Sequence, residues 1–185
     1  MAVRHAFTVD EWDRMGEAGL FGEGARVELL DGEVIEMAPI GSAHAGCVNR
    51  LSRLLISLLG ELAVVAPQNP IVLNEISQPQ PDVAVLAPRQ DMYSRSHATP
   101  ADILLLIEVA DTSLAFDRDT KAPYYAACGV TETWIVDIEG ERILVMRSPT
   151  SSGYAKIRSL RRGHELDIEA MPGISIGVDD VLGPG

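Results

Sequence analysis

Residues 102–110, Asp-Ile-Leu-Leu-Leu-Ile-Glu-Val-Ala, constrain the fold more than any other stretch of this chain. A nearly continuous apolar run of this length predicts a central β-strand covered on both faces, because a strand with one wet face would alternate apolar and polar residues. Glu108 is its only interior charge. An ionised carboxylate is costly to bury unless it is paired or bound to a metal, so the strand that defines the core also demands an explanation for its one acid.

The patterns around this run place other elements beside it. With 185 residues the chain is the size of about one domain, and residues 1–185 are expected to form a single one. Thr8 followed by Glu11 has the capping-box pattern, and Trp12, Met15 and Leu20 continue it as a short helix ending near Gly16 to Gly19. The segment 26–37, Arg-Val-Glu-Leu-Leu-Asp-Gly-Glu-Val-Ile-Glu-Met, predicts two strands around Asp31-Gly32, a dipeptide suited to a two-residue turn with positive φ at both positions. Ser42 is placed as the cap of a helix running to about Leu59, with Val48, Leu51, Leu55 and Leu58 on one stripe and Gly60 as its stop. His44 falls in its first turn, on the side of Val48 and Leu51. Short apolar runs at 62–66, 70–75 and 82–87 predict strands, and 88–101 a loop. Asp117 is placed as the cap of a second helix through Cys128, with Pro123 limiting its regular part. Strands are expected at 132–138 and 142–148, joined at Glu139-Gly140, and near 154–160 and 173–178. The sum is one α/β domain with a mixed sheet and two principal helices.

Charge narrows the function classes. There are 27 Asp and Glu against 15 Lys and Arg, a net of −12, which argues against a strong non-specific nucleic-acid binder, since such proteins grip phosphates with basic side chains. Residues 141–162 reverse the sign, with six basic residues against Glu141 alone, a local +5. That segment is either a docking face for something anionic or a solvated basic hairpin. Cys47 and Cys128 match no metal spacing and are expected to be reduced, buried and apolar in role. The first twelve residues lack the apolar segment of an export signal, and the longest apolar stretches fall far short of the roughly 18 residues of a membrane span. A cytoplasmic chain without a membrane partner is expected.

Two acids stand at strand edges in different segments, Asp82 directly after Pro81 and Glu108 near the end of its run. Carboxylates about one strand apart make a hard oxygen site for magnesium or manganese. Lys121, one of only two lysines in the chain, lies one helical turn after Asp117, so the pair shares a face. Read singly, each has a plainer role: Glu28 as the solvent-facing residue of a hairpin strand, His44 as a polar first-turn residue, Asp82 as a turn cap, and Asp117 and Lys121 as an ion pair. Tyr124, Tyr125 and Trp134 read as packing residues.

The ordered set of segment 26–34, His44, Pro-Asp-Val-Ala-Val-Leu at 81–86, Ile-Glu-Val-Ala-Asp-Thr-Ser at 107–113, Asp117, Lys121, Tyr124 or Tyr125, and Gly-Val-Thr-Glu-Thr-Trp-Ile-Val-Asp at 129–137 resembles the Uma2 family, also called DUF820. These are restriction-endonuclease-like proteins of the PD-(D/E)XK nuclease superfamily, and the resemblance runs from about residue 7 to residue 180. It implies an α+β fold, a mixed central β-sheet flanked by helices. It also implies a metal held by Asp82 and Glu108 with the backbone carbonyl of Val109, Glu28 as an additional acid, Lys121 as the catalytic lysine and His44 as a further site residue. The superfamily lysine usually lies two residues after the second acid, where this chain has Ala110; Lys121 on the next helix is the candidate instead. The activity implied is Mg2+-dependent cleavage of DNA phosphodiester bonds, with Mn2+ as a substitute. The competing functions are a catalytically inactive nuclease-fold binding or regulatory protein and a hydrolase of a smaller phosphoester. Double-strand cleavage by a domain with one site generally needs two copies, so a homodimer is expected.

Overall fold

The computed structural model describes residues 3–22 and 24–184. It begins with helix α1 (Val9–Glu17), whose capping box is complete: Glu11 N–H donates to Thr8 Oγ1 at 3.2 Å and Thr8 N–H donates to Glu11 Oε2 at 2.9 Å. Strands β1 (Val27–Leu30) and β2 (Glu33–Glu36) pair antiparallel around Asp31 (φ +51°) and Gly32 (φ +73°). Space as well as conformation demands the glycine, because a Cβ at position 32 would lie 2.6 Å from that of Ala6.

Helix α2 (Ser42–Leu59) has the predicted length, but the cap position belongs to Gly41 and Ser42 is the first helical residue. Its inner stripe is Cys47, Val48, Leu51, Leu55 and Leu59, not Leu58, which is 43% exposed; each step of four residues keeps the stripe on one side. After it come β3 (Val64–Pro67) and β4 (Val83–Leu86). The strand expected at 70–75 does not form. Only isolated bridges, Ile71 to Ala98 and Asn74 to Ser77, occur there, because Pro70 in the segment and Pro79 and Pro81 opposite remove ladder donors.

Strand β5 (Ile103–Ala110) is the central strand, buried at every position except Leu104. A helical stretch follows without a break: α3 (Leu114–Phe116), a π-turn over Asp117–Lys121 and α4 (Ala122–Ala127). Asp117 is therefore inside the helix and does not cap it. The wider π-turn accommodates Pro123, which has no N–H to give and whose ring would press on the carbonyl four residues back in a regular α-helix. This stretch is the crossover between β5 and the parallel strand β6 (Glu132–Asp137). Strands β7 (Arg142–Thr150) and β8 (Gly153–Arg161) complete a six-stranded mixed sheet in the order β3-β4-β5-β6-β7-β8. Two small elements missed in the sequence reading follow: β9 (Glu165–Asp167), which pairs with the expected β10 (Ser175–Gly177), and helix α5 (Val178–Leu182).

Alternation along β5 divides the core. Leu105, Ile107 and Val109 pack with Val48, Leu51 and Leu55 of α2 on one face. Leu106 faces the other side with Tyr125 of α4. Glu108, two residues on, shares that second side, and so points toward the crossover helix.

The basic segment 141–162 is the β7–β8 hairpin, and three of its six basic residues are closely paired with acids, four of those acids coming from outside the segment. Arg142 pairs with Asp137 at 2.7 Å, Arg147 with Glu132 at 2.7 Å and with Asp167 at 2.9 Å, and Arg162 with Glu141 and Asp179. Cys47 is buried as expected, whereas Cys128 is only partly so; both are free thiols. Among the described residues no helix is long and apolar enough to cross a membrane.

Candidate active site

Four elements converge at the end of β5. Lys121, on the π-turn, directs Nζ between two acids, 2.9 Å from Glu108 Oε1 and 3.2 Å from Glu28 Oε2 of the hairpin. Glu28 Oε2 also accepts the Gln80 N–H at 3.1 Å, while Oε1 is buried without a partner. Asp82, directly before β4, is held at both oxygens: Oδ2 accepts the Val109 N–H at 2.8 Å and Oδ1 lies 2.8 Å from His44 Nε2 of α2. Lys121, Glu108 and Glu28 are 1–3% exposed. The sequence-predicted residues Glu28, His44, Asp82, Glu108 and Lys121 thus line one cleft, with a cavity of about 280 Å3. Val109 meets the site through its amide to Asp82.

Two members were not placed in the site by sequence reading. Tyr125, whose sequence context reads as packing, donates its hydroxyl to Glu108 Oε1 at 2.5 Å. Its signal was its position one helical turn after Lys121. Asp117, whose position in the sequence reads as a helix cap, is buried, lines the cleft and accepts the Ser113 hydroxyl at 2.5 Å.

The electrostatics follow from this crowding. Burial pushes the Glu108 carboxyl up to about 8; Lys121 opposes the rise, while Asp117, Asp82 and Glu28 add to it. Burial alone would lower the Lys121 ammonium, but Glu108, Glu28 and Asp117 outweigh it and hold the group above the ordinary lysine value. Asp117 is raised by burial, and Tyr125 is raised well above the usual phenol by burial and by Glu108. The hydrogen bond to Asp82 raises His44 against its own desolvation. One ammonium and one imidazole therefore face four carboxyl groups, more than they can pair with, and the crowding shows as the rise at Glu108 and Asp117.

Among the described residues no group of three or more His, Cys, Asp or Glu side chains is disposed to hold a metal ion. Lys121 stands between Glu28 and Glu108, and both oxygens of Asp82 are engaged. The donor chemistry nevertheless fits a hard divalent cation. The acids supply only oxygens, one of them is buried and unpartnered, and the charge excess is of the sign a cation relieves.

No significant match to a curated protein sequence is found. Among solved structures, the crystal structure of "a putative nuclease belonging to DUF820" from Anabaena variabilis matches with a TM-score of 0.72 at 14% identity, covering 95% of this chain and 97% of that one. At that identity the likeness establishes the fold alone. A sequence-family model, "Putative restriction endonuclease", matches residues 9–179, a span that includes every residue of the cleft floor, and the chain accordingly belongs to the Uma2 family.

Proposed function

We propose that this protein is a divalent-metal-dependent nuclease that hydrolyses DNA phosphodiester bonds. The observation that carries the reading is Lys121 buried between Glu28 and Glu108 on the floor of a cleft that Asp82 also lines. Asp82 and Glu108 would hold Mg2+, or Mn2+ in its place, with the Val109 carbonyl and Glu28 as further donors. Such an ion supplies a nucleophilic water at neutral pH and charge neutralisation at the phosphoryl group. Lys121 Nζ would orient an attacking water and would stabilise negative charge on the phosphoryl oxygens. His44 fixes the orientation of Asp82, and Tyr125 fixes that of Glu108. A cleft floor of four acids whose one lysine is already paired would not draw in a phosphate without a cation, so activity is expected to depend on metal.

The test uses two closed circular substrates, supercoiled plasmid and single-stranded circular DNA, which an exonuclease cannot attack. The wild-type protein is expected to cut at least one of them with Mg2+ or Mn2+ and neither with EDTA. Asp82→Ala and Lys121→Ala are expected to lower the rate by roughly 10²–10³-fold. Equal residual cleavage by all three proteins would point to a contaminant and overturn the reading.

A further inference from the structure

We propose that the nucleic acid taken by this site is unpaired at the scissile bond, the cleft admitting one nucleotide of a single strand and excluding a stacked duplex. The inference rests on the nuclease reading and deepens it. Its first support is depth: Glu28, Glu108 and Lys121 are at most 3% exposed, so a phosphodiester must enter the cleft to meet them and cannot react while lying on the surface.

Size is the second support. A cavity of about 280 Å3 stands at the lower edge of the roughly 300–1,000 Å3 typical of sites for one small ligand. A B-form duplex, whose major groove alone is about 12 Å wide, does not fit such a space. A nucleotide already out of the stack needs no unpairing energy to enter it.

The walls and their charge agree. Ile35, Met37, Pro39, Ile40 and Phe116 line the cleft, and Ile40 is 41% exposed. Apolar and aromatic surface of this kind packs against the face of any base and suits a single strand. Duplex binding draws on a row of basic residues at successive phosphates. Among the described residues of the lining, the basic side chains are Arg26, Lys121 and His44, and the last two are already paired with acids of the floor, to which Glu36 and Asp111 add more.

The experiment compares three labelled DNA substrates of one sequence in Mg2+: a single strand, a full duplex, and a duplex with a central unpaired bubble. The single strand and the bubble are expected to be cut at least about tenfold faster than the duplex, with cuts in the bubble confined to its unpaired segment. A duplex cut as fast as the single strand overturns the inference and leaves the nuclease reading standing. No cleavage of any of the three by folded, metal-supplied protein overturns the nuclease reading on which it rests. Phe116→Ala is expected to raise KM for the single strand about tenfold, more than it lowers kcat, as loss of one base-stacking surface would. Ile40→Ala, a substitution on the exposed rim, should raise KM in the same sense without touching the core. Unchanged KM in both variants overturns the assignment of this wall to a base.

Discussion

Glu108 shows how one residue links fold and chemistry. It stands in the strand that anchors the core, is 3% exposed, and receives both the Lys121 ammonium and the Tyr125 hydroxyl at one oxygen. Its carboxyl is raised from an ordinary 4.5 to about 8, so between those values the folded protein holds a proton that the unfolded chain has released. Stability from this group is complete below about pH 4.5 and is lost as pH rises through about 8. Melting curves in EDTA from pH 5 to 8.5 should therefore fall more steeply for wild type than for Glu108→Gln, whose amide does not titrate. Parallel curves would show that Glu108 is ionised across the range. Glu108 was legible in sequence because it interrupts an apolar run, and Asp82 because Pro81 fixes its place at a strand entry. Tyr125 was not, because its partner lies 17 residues away on another element, and a tyrosine among alanines looks like packing.

At the level of elements, legibility followed local chemistry. The Asp31-Gly32 hairpin and the Thr8 capping box carry their instructions in two to four residues, and both form as expected. The segment at 70–75 had the composition of a strand, yet strand formation depends on a partner's free ladder groups, which the prolines remove. The π-turn at 117–121 has only Pro123 as its sequence trace, yet it sets the direction of Lys121. Acids that neutralise the β7–β8 hairpin are equally non-local: Glu132, fully buried, accepts from Arg147 Nε at 2.8 Å, from Trp134 Nε1 at 2.8 Å and from the Glu169 N–H at 2.8 Å. Through Asp167 the same arginine ties β9 to the sheet. Arg147→Ala leaves a buried carboxylate without its counter-charge and is expected to cost about 3–5 kcal/mol of stability. Chemical denaturation followed by tryptophan fluorescence measures this, with Trp134 as a reporter inside the network. A loss below about 1 kcal/mol, in the range of exposed ion pairs, would mean that the two remaining hydrogen bonds satisfy Glu132 without the arginine.

Across the whole molecule, the net charge of −12 and the local +5 resolve into one arrangement once the pairs are assigned. Three of the six basic residues of the segment, Arg142, Arg147 and Arg162, are spent within the fold on acids, which leaves Lys156, Arg158 and Arg161 on exposed positions of β8 and shortens any phosphate-binding track the segment could offer a duplex. An unpaired strand bound in one cleft also has no need of a second copy, which double-strand cleavage would require. The salt dependence of binding tests this electrostatic picture. Lys121 is already held between Glu28 and Glu108, so Arg26 is the cleft cation left to a phosphate, and about one phosphate charge is neutralised. For a single strand the slope of log affinity against log salt should then be near about −0.7. Fluorescence anisotropy on the Asp82→Ala variant in EDTA, where cutting is expected to be suppressed, gives the slope directly between about 50 and 200 mM salt. A slope steeper than about −4 would require at least five or six phosphate contacts, more than this cleft can make. The β7–β8 arginines or a second copy of the chain would then have to form the binding surface.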